Sequence, residues 1–571
     1  MIRVAAHHIL SPLGASTTAN LDAVRRGETA VRRWEGLWQL PQPFMASCFD
    51  DAAVDWLQPG YTRFESMAIA SIRGAIAQWQ QHVGEEKASV GSPRTVLILS
   101  TTKGNIALMG QEQGNNSRLW PGTTAATIAK AVGFTTEPIV IDNACISGVS
   151  AIILAARLLR MGLYDNAVVC GAEEQSRFIV SGFQSLKAMS PRGCQPFDID
   201  RMGLNLGEAA ATVVLTRIDD ARLPWHVVAG AMRNDAHHLS APSMTAEGAY
   251  RALSVVTSGI DASQLAFISA HGTATMFNDQ MEAVAIDRAG LSQVPVNAVK
   301  ANYGHTMGAC GVLETVLSMA AVDAGVVLPT KGFHELGVSK AIRITTSEST
   351  TAAKSFVKMV SGFGGGNAAL LMSRDEQLDG DRPVKTVHHE VRHTLRLTPD
   401  SVTVDGKALD VNATGKAMLT ELYKKEVGDY PKFYRMDLLS RVGFIAAELL
   451  VKAEEGNVGA DSASRAVMLV GRSGSIQADL NYYQSICRPD DYFPSPERFV
   501  YTLPNIVAGE IAIRHRYHGE TSFLLLPRRD DEAVTTILRS AFLDAETTSV
   551  LGGWIDCEDD SRFEAELSII E

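Results

Sequence analysis

The chain has 571 residues, of which 46% are hydrophobic and 20% charged, and a formal net charge of −12. It is too long for one core, its composition is that of a folded globular protein, and its acidic balance gives phosphate backbones nothing to bind, so nucleic acid is set aside as a partner. The seven scattered cysteines form no disulfide framework, which fits a reducing compartment. The opening Met1-Ile2-Arg3-Val4 does not read as a signal peptide, and the apolar run from Ala144 to Ala156 is far short of the ~20 residues a membrane span needs, so the expectation is a cytoplasmic chain without a span.

Along residues 1–373, short apolar runs at Thr95–Leu99, Ile139–Ile141, Ala167–Val169 and Ala211–Leu215 alternate with segments of helical period, the pattern of an α/β fold. After the run at 139–141 comes Asp142-Asn143-Ala144-Cys145-Ile146-Ser147-Gly148, then an apolar helix through Arg160 closed by Gly162. A cysteine on such a strand-to-helix turn faces free helix N–H groups, which lower a thiol pKa from its free value of ~8.5 and favour the nucleophilic thiolate. Taken alone, Cys145 reads equally well as a buried small hydrophobe.

Two later segments bear on that choice. His271-Gly272-Thr273-Ala274-Thr275 follows the apolar run Leu265–Ala270, and Lys300 to Gly311 places His305 in a small-residue loop before the apolar stretch Val312–Ala324. Each histidine by itself is as well explained by structure as by catalysis; one cysteine with two loop histidines points to nucleophilic acyl transfer. Residues 362–366 are glycine-rich but carry no Lys-Ser/Thr of a nucleotide cradle. His389-Glu390-Val391-Arg392-His393 spells a zinc-protease motif, yet the alternation from Val387 to Leu397 is that of a strand, which separates the two histidines, so no metal site is assigned. The run Arg528 to Glu532 mixes both signs and reads as solvated surface.

The charged segment from Ser373 to Pro383 opens a linker over 374–395, and a second unit is expected over 396–571, with a hairpin at Ser401–Leu409 around Asp405-Gly406, helices from Leu419 and Leu438, and a strand at Val467–Val470. A weak repeat joins the halves. Tyr61-Thr62-Arg63-Phe64 with Met67 is echoed by Tyr430-Pro431-Lys432-Phe433 with Met436, and Pro93–Leu99 leading to Gly104 by Ser464–Val470 leading to Gly474. The second unit therefore repeats only the first part of the first.

These blocks carry a family resemblance. Ser11-Pro12-Leu13-Gly14, the Cys145 turn, Pro196-Phe197-Asp198 with Arg201 and Gly207-Glu208, both histidine loops, and Gly362-Phe363-Gly364-Gly365-Gly366-Asn367 occur in the order found in the β-ketoacyl-acyl carrier protein synthases of the thiolase superfamily. The Cys, His, His set with Lys300 resembles the elongating class. The resemblance implies a thiolase-like duplicated αβαβα layered fold and a condensing enzyme. Cys145 would take an acyl group from a carrier's pantetheine thioester, with an oxyanion hole at the N–H groups of Cys145 and Phe363. His271 and His305 would stabilise the enolate left when malonyl carrier protein loses carbon dioxide. It further implies that Lys300 organises the second histidine loop, Asp279 and Glu314 act as supporting carboxylates, Thr273 and Thr275 contact the pantetheine arm, and Phe363 gates the acyl pocket. It calls for no bound cofactor or metal, only the phosphopantetheine of acyl carrier protein, and for a homodimer. Two departures are Gly366, where the family has threonine, and Ala5-Ala6-His7-His8 in place of its usual opening.

The second unit resembles a ketosynthase N-terminal lobe without a nucleophile: Gly519-Glu520-Thr521-Ser522-Phe523 stands where a cysteine would be, and no base pairs with Ser522. It reads either as a degenerate packing domain or as a chain-length-factor-like pseudo-subunit. The leading expectation is decarboxylative condensation in a polyene, aryl polyene, polyketide or specialised fatty acid pathway. The alternatives are an acyltransferase using the same cysteine and a non-catalytic carrier-binding protein.

Overall fold

The computed structural model describes residues 1–50, 52, 54–110, 117–378, 389–454, 463–488 and 492–571; residues 379–388 of the expected linker lie outside them. Three five-stranded sheets repeat one connectivity. In the first, β1 (Arg3–Leu10), β2 (Thr95–Ser100), β3 (Ile139–Ile141), β4 (Asn166–Glu173) and β5 (Ala209–Thr216) lie in the order β1-β5-β4-β2-β3, with β1-β5-β4 antiparallel and the rest parallel. In the second, β6 (His226–Asn234), β7 (Leu265–Ser269), β8 (Pro295–Asn297), β9 (Arg343–Ile344), β10 (Ser355–Ser361) and β11 (Gly366–Ser373) take the order β6-β11-β10-β7-β8, with β9 added at the edge. In the third, β12 (Val391–Thr398), β13 (Arg465–Gly471), β14 (Thr521–Leu525), β15 (Ser549–Asp559) and β16 (Arg562–Ile570) run β12-β16-β15-β13-β14.

The weak sequence repeat thus corresponds to a structural one: β13 is the counterpart of β2, and β14 of β3. Strand β12 begins at Val391, inside the segment expected as linker, because alternate residues such as Leu395 and Leu397 bury against the third sheet. The hairpin expected around Asp405-Gly406 is present as Ser401–Val404 and Lys407–Ala408.

The helices that matter below are α1 (Arg63–Val83), α2 (Pro121–Val132), α3 (Ser147–Arg160), α4 (Arg177–Ser185), α5 (Met276–Arg288), α6 (Cys310–Asp323), α7 (Leu438–Ala453) and α8 (Ile506–His515). Local sequence explains their ends. Thr62 and Glu65 form a reciprocal capping box at the start of α1, and Asp437 caps α7. Helices α3 and α6 are buried almost all round, as expected of helices sandwiched between two sheets. They cross with backbones touching: a Cβ on Gly148 would lie 2.7 Å from Val312 N, and one on Gly311 2.5 Å from Val149 N. Any larger residue would force the helices apart.

The third sheet is continuous with the first. Strand β14 pairs antiparallel with the edge strand β3, Leu524 opposite Ile141 and Leu525 opposite Val140. One apolar core runs through Leu97, Leu99 and Val140 into Phe523, Val507 and Leu525, and another through Ile98 and Ile141 into Met468 and Leu524. Three buried ion pairs also cross the boundary: Arg157 with Glu520 at 2.7 Å, Arg233 with Asp544 at 2.6 Å, and Lys103 with Asp479 at 2.8 Å.

Candidate active site

The Gly148–Gly311 crossing brings together the loops that precede α3 and α6. Cys145 sits in the short turn Ala144–Ile146 before α3, and the turn is tight enough to hold Ala144 at φ +50°. A left-handed alanine costs about 1 kcal/mol, and surrounding bonds must hold it there. They do: Asn143 N donates to Ser147 Oγ at 2.8 Å, and Ser147 Oγ donates to the Ala144 carbonyl at 2.6 Å.

His305 lies in the loop before α6, with Nε2 3.0 Å from Cys145 Sγ. Met307 donates its backbone N–H to His305 Nδ1 at 3.3 Å, which leaves the neutral ring its hydrogen on Nε2, facing the sulfur. His271 follows β7, its ring 5.0 Å from that of His305 and nearly perpendicular to it. The sulfur and one nitrogen of each ring fall within 4.8 Å of one another. Such a trio also matches a metal donor set, but the His305 nitrogen presents hydrogen rather than a lone pair to the sulfur, so the arrangement is one of donors around an acceptor.

Charge placement explains the protonation states. Burial first, then the cations Lys300 and Lys358, push both imidazoles well below their ordinary value and keep them neutral. Cys145 keeps some accessible surface, yet burial among its neighbours raises the thiol, with nearby Cys310 adding to the effect. This corrects the expectation of a thiol lowered by the helix N-terminus: at rest the pair is neutral thiol and neutral imidazole.

The expected supporting residues take definite places. Lys300 and Glu314 are buried and bonded at 2.6 Å, so Lys300 ties the start of the His305 segment to α6. Asp279 Oδ2 accepts from Phe197 N at 2.6 Å and Oδ1 from Ala274 N at 3.1 Å, pinning the 271–275 loop; burial lifts its carboxyl to about 6. Thr273 and Thr275 bond each other through their hydroxyls at 2.9 Å. Phe363 lies half-buried in the loop between β10 and β11, and a Cβ on neighbouring Gly362 would lie 3.1 Å from Cys145 N, so the glycine loop passes beside the Cys145 amide.

Four contributors escaped the sequence reading. Glu282, one turn after Asp279 on α5, accepts from His271 N at 2.6 Å and Gly272 N at 2.7 Å, and burial raises it to about 7. Glu173 accepts from Gly308 N at 3.0 Å and Thr102 N at 2.9 Å under the His305 loop, and burial likewise raises it to about 7. Lys358 shares Glu314 with Lys300 and donates to the Ala270 carbonyl at 2.9 Å. Its signal was a single lysine inside the apolar run Phe356–Val360. Asn143 accepts from Phe523 N at 2.7 Å and donates to Ser522 Oγ at 3.3 Å, so the second unit steadies the Cys145 turn. Ser522 itself donates to Glu520 at 3.0 Å, beside the Arg157 pair. Of the zinc-like motif, His389 stacks on Phe542 and His393 bonds Asp405 at 2.9 Å.

The sequence profile described as "Beta-ketoacyl synthase, N-terminal domain" matches residues 85–221, and "Beta-ketoacyl synthase, C-terminal domain" matches residues 226–334. The chain is 28% identical over 414 residues to 3-oxoacyl-[acyl-carrier-protein] synthase 2 of Rhizobium meliloti (strain 1021), covering 64% of this chain and 97% of that one. Among solved structures it resembles the ketosynthase ApeO, in complex with its chain length factor ApeC, from Xenorhabdus doucetiae, with TM-score 0.57, 26% identity, and 65% and 97% of the two chains covered. The PfaC keto synthase-chain length factor is similar in fold over 100% of this chain and 78% of that one, with TM-score 0.78 and 14% identity. The two matched profiles and the synthase relative support an acyl-transferring condensing enzyme of the thiolase superfamily, and the duplicated sheets around two buried helices, with a cysteine and two histidines at their crossing, are consistent with it. Within that superfamily it is a ketosynthase-type protein.

Proposed function

We propose that this chain is a β-ketoacyl-acyl carrier protein synthase that joins an acyl thioester to malonyl carrier protein with loss of carbon dioxide. The observation that carries the reading is the 3.0 Å approach of His305 Nε2 to Cys145 Sγ, with His271 beside it. In the first half-reaction the sulfur attacks the acyl thioester, forming Cys145–S–acyl and breaking the carrier's C–S bond; the thiol proton ends on the departing pantetheine thiol. The N–H groups of Cys145 and Phe363 hold the oxyanion, and Thr273 and Thr275 line the pantetheine arm. In the second, the malonyl C–CO₂ bond breaks and N–H donors of the buried His271 and His305 stabilise the enolate. The carbanion attacks the acyl carbonyl, a C–C bond forms as the Cys145 C–S bond breaks, and the released sulfur takes up a proton from solvent. Lys300, Glu314 and Asp279 hold the two loops in place.

We divide the chain into a catalytic unit, 1–373, and a second unit beginning with β12 at residue 391. The second unit packs beside the Cys145 turn, its strand β14 paired with the edge strand β3. We keep a homodimer as the assembly, alongside acyl carrier protein as the partner that delivers the substrate. The fused half is a pseudo-subunit in the manner of a chain length factor, which favours a polyene, polyketide or specialised fatty acid pathway. We place the reaction in the cytoplasm, consistent with free cysteines throughout and no helix long and apolar enough to cross a membrane among the described residues.

Intact mass of the protein with acyl carrier protein thioesters tests the reading. An acyl adduct on Cys145, discharged only when malonyl carrier is added and yielding product two carbons longer, is expected. Discharge without extension would make it an acyltransferase, and no adduct at all would leave only a carrier-binding role.

A further inference from the structure

The second unit holds the loop that carries Phe363 directly at its backbone and, through Phe183, indirectly at its ring. The Phe363 ring stacks on Phe183 of α4 at 6.4 Å, and Phe183 is met edge-on at 5.5 Å by Phe499 of the second unit. Phe499 fills a notch made by a missing side chain: a Cβ on Gly182 would lie 2.2 Å from the Phe499 ring. On the backbone side, Asn505, at the start of α8, donates its Nδ2 to the Phe363 carbonyl at 2.8 Å. Two glycines allow that approach, since a Cβ on Gly364 would lie 2.7 Å from Asn505 Nδ2 and one on Gly509 2.7 Å from the Gly364 carbonyl. Gly364 and Gly365 also hold positive φ of 86° and 76°, which glycine adopts without strain.

The first unit contributes a frame. Asn234 Nδ2 donates to the Gly364 carbonyl at 2.8 Å and Gly364 N to the Leu239 carbonyl at 2.6 Å. Asn234 in turn reaches Thr521 Oγ1 of the second unit at 2.9 Å. The loop lies over the residue next to the nucleophile: a Cβ on Gly366 would come within 2.9 Å of Ile146 Cδ1. A threonine at 366, which the family resemblance leads one to expect, would have to displace the end of the Ile146 side chain, and the loop here is braced across the unit boundary.

We propose that Asn505 and Phe499 form a latch on the Phe363 gate, so that the half of the chain without a nucleophile controls which acyl groups reach the Cys145 sulfur. The inference rests on the condensing-enzyme reading for the identity of the acyl group, but the access it describes belongs to the thiol alone. Asn505 and Phe499 are positioning residues that act through Phe363. Moving Phe363 away requires breaking the Asn505 bond and unstacking its ring from Phe183, which Phe499 wedges in place.

The test uses alkylation of Cys145 in the full-length protein by iodoacetamide and by N-octyl iodoacetamide, read by intact mass and assigned by peptide mapping. The quantity of interest is the ratio of the two rates. Asn505→Ala and Phe499→Leu are each expected to raise that ratio about five- to tenfold, the population shift equivalent to losing one neutral hydrogen bond or a comparable packing contact, while leaving the iodoacetamide rate unchanged. Asn505→Asp, which keeps the side-chain shape but removes the donor, is expected to behave as Asn505→Ala. An unchanged ratio in folded variants overturns the latch, and so does an equal acceleration of both reagents, which signals general loosening. The measurement needs no turnover: a wild type that fails to accept acyl carrier protein would overturn the condensing reading and leave this one standing.

Discussion

Replacing Arg157 by methionine removes one partner of a buried pair that spans the two units. Arg157 and Glu520 meet at 2.7 Å with side chains 4% and 1% exposed. The carboxylate left behind retains only the Ser522 hydroxyl, 3.0 Å away, among the interactions described above. Stranding a buried charge costs about 3–5 kcal/mol, whereas removing both partners for groups of similar volume is close to neutral. Urea unfolding of full-length protein followed by fluorescence checks this. With a slope of ~3 kcal/mol/M, the single variant should lose about 1 M or more of midpoint, and Arg157→Met with Glu520→Gln should recover most of it. A single variant within ~0.5 kcal/mol of wild type, or a double variant no better than the single, would refute the reasoning. The same logic applies to a chain ending at residue 378. It leaves Arg157, Arg233 and Lys103 unpaired and exposes the shared core, so aggregation is expected rather than a free catalytic unit.

Other outcomes follow from the site. Because burial raises the Cys145 thiol above its ordinary value, its alkylation by iodoacetamide should keep climbing with pH beyond 9; a plateau below pH 8 would reveal a resting thiolate. Lys358→Met should lower kcat for malonyl decarboxylation by about tenfold, less than the ~100-fold cost of losing a direct donor, and leave KM unchanged. It should also raise the His271 and His305 titrations in histidine NMR, since the ammonium and its neighbour Lys300 oppose imidazolium, and Lys358→Arg should restore them. Gly148→Val should abolish acylation, because its side chain would meet the α6 backbone within 3 Å and part the Cys145 and His305 loops; wild-type acylation would show the crossing to be dispensable.

The α/β alternation, the cysteine turn and both histidine loops were legible in the sequence because each is written locally, as an apolar run, a small-residue stretch and a reactive side chain at its end. Lys300, Glu314, Asp279 and Phe363 came through family resemblance, and their contacts fall around the same loops. The repeat between β2 and β13 was visible as a faint echo of residues. What the chain order does not state is that β14 pairs with β3, that Gly148 meets Gly311, or that Asn505 reaches Phe363, 142 residues earlier. The protonation states also belong to the folded molecule. A helix N-terminus lowers a thiol in isolation, but burial of Cys145 among its neighbours raises it more, and no local pattern records how much protein will surround an atom. The sequence determined which groups are present and which segments can carry them, because those depend on neighbours along the chain. The tertiary structure decided their distances, their charges and the bracing of the site by a half without a nucleophile, because desolvation and contact arise between residues hundreds of positions apart.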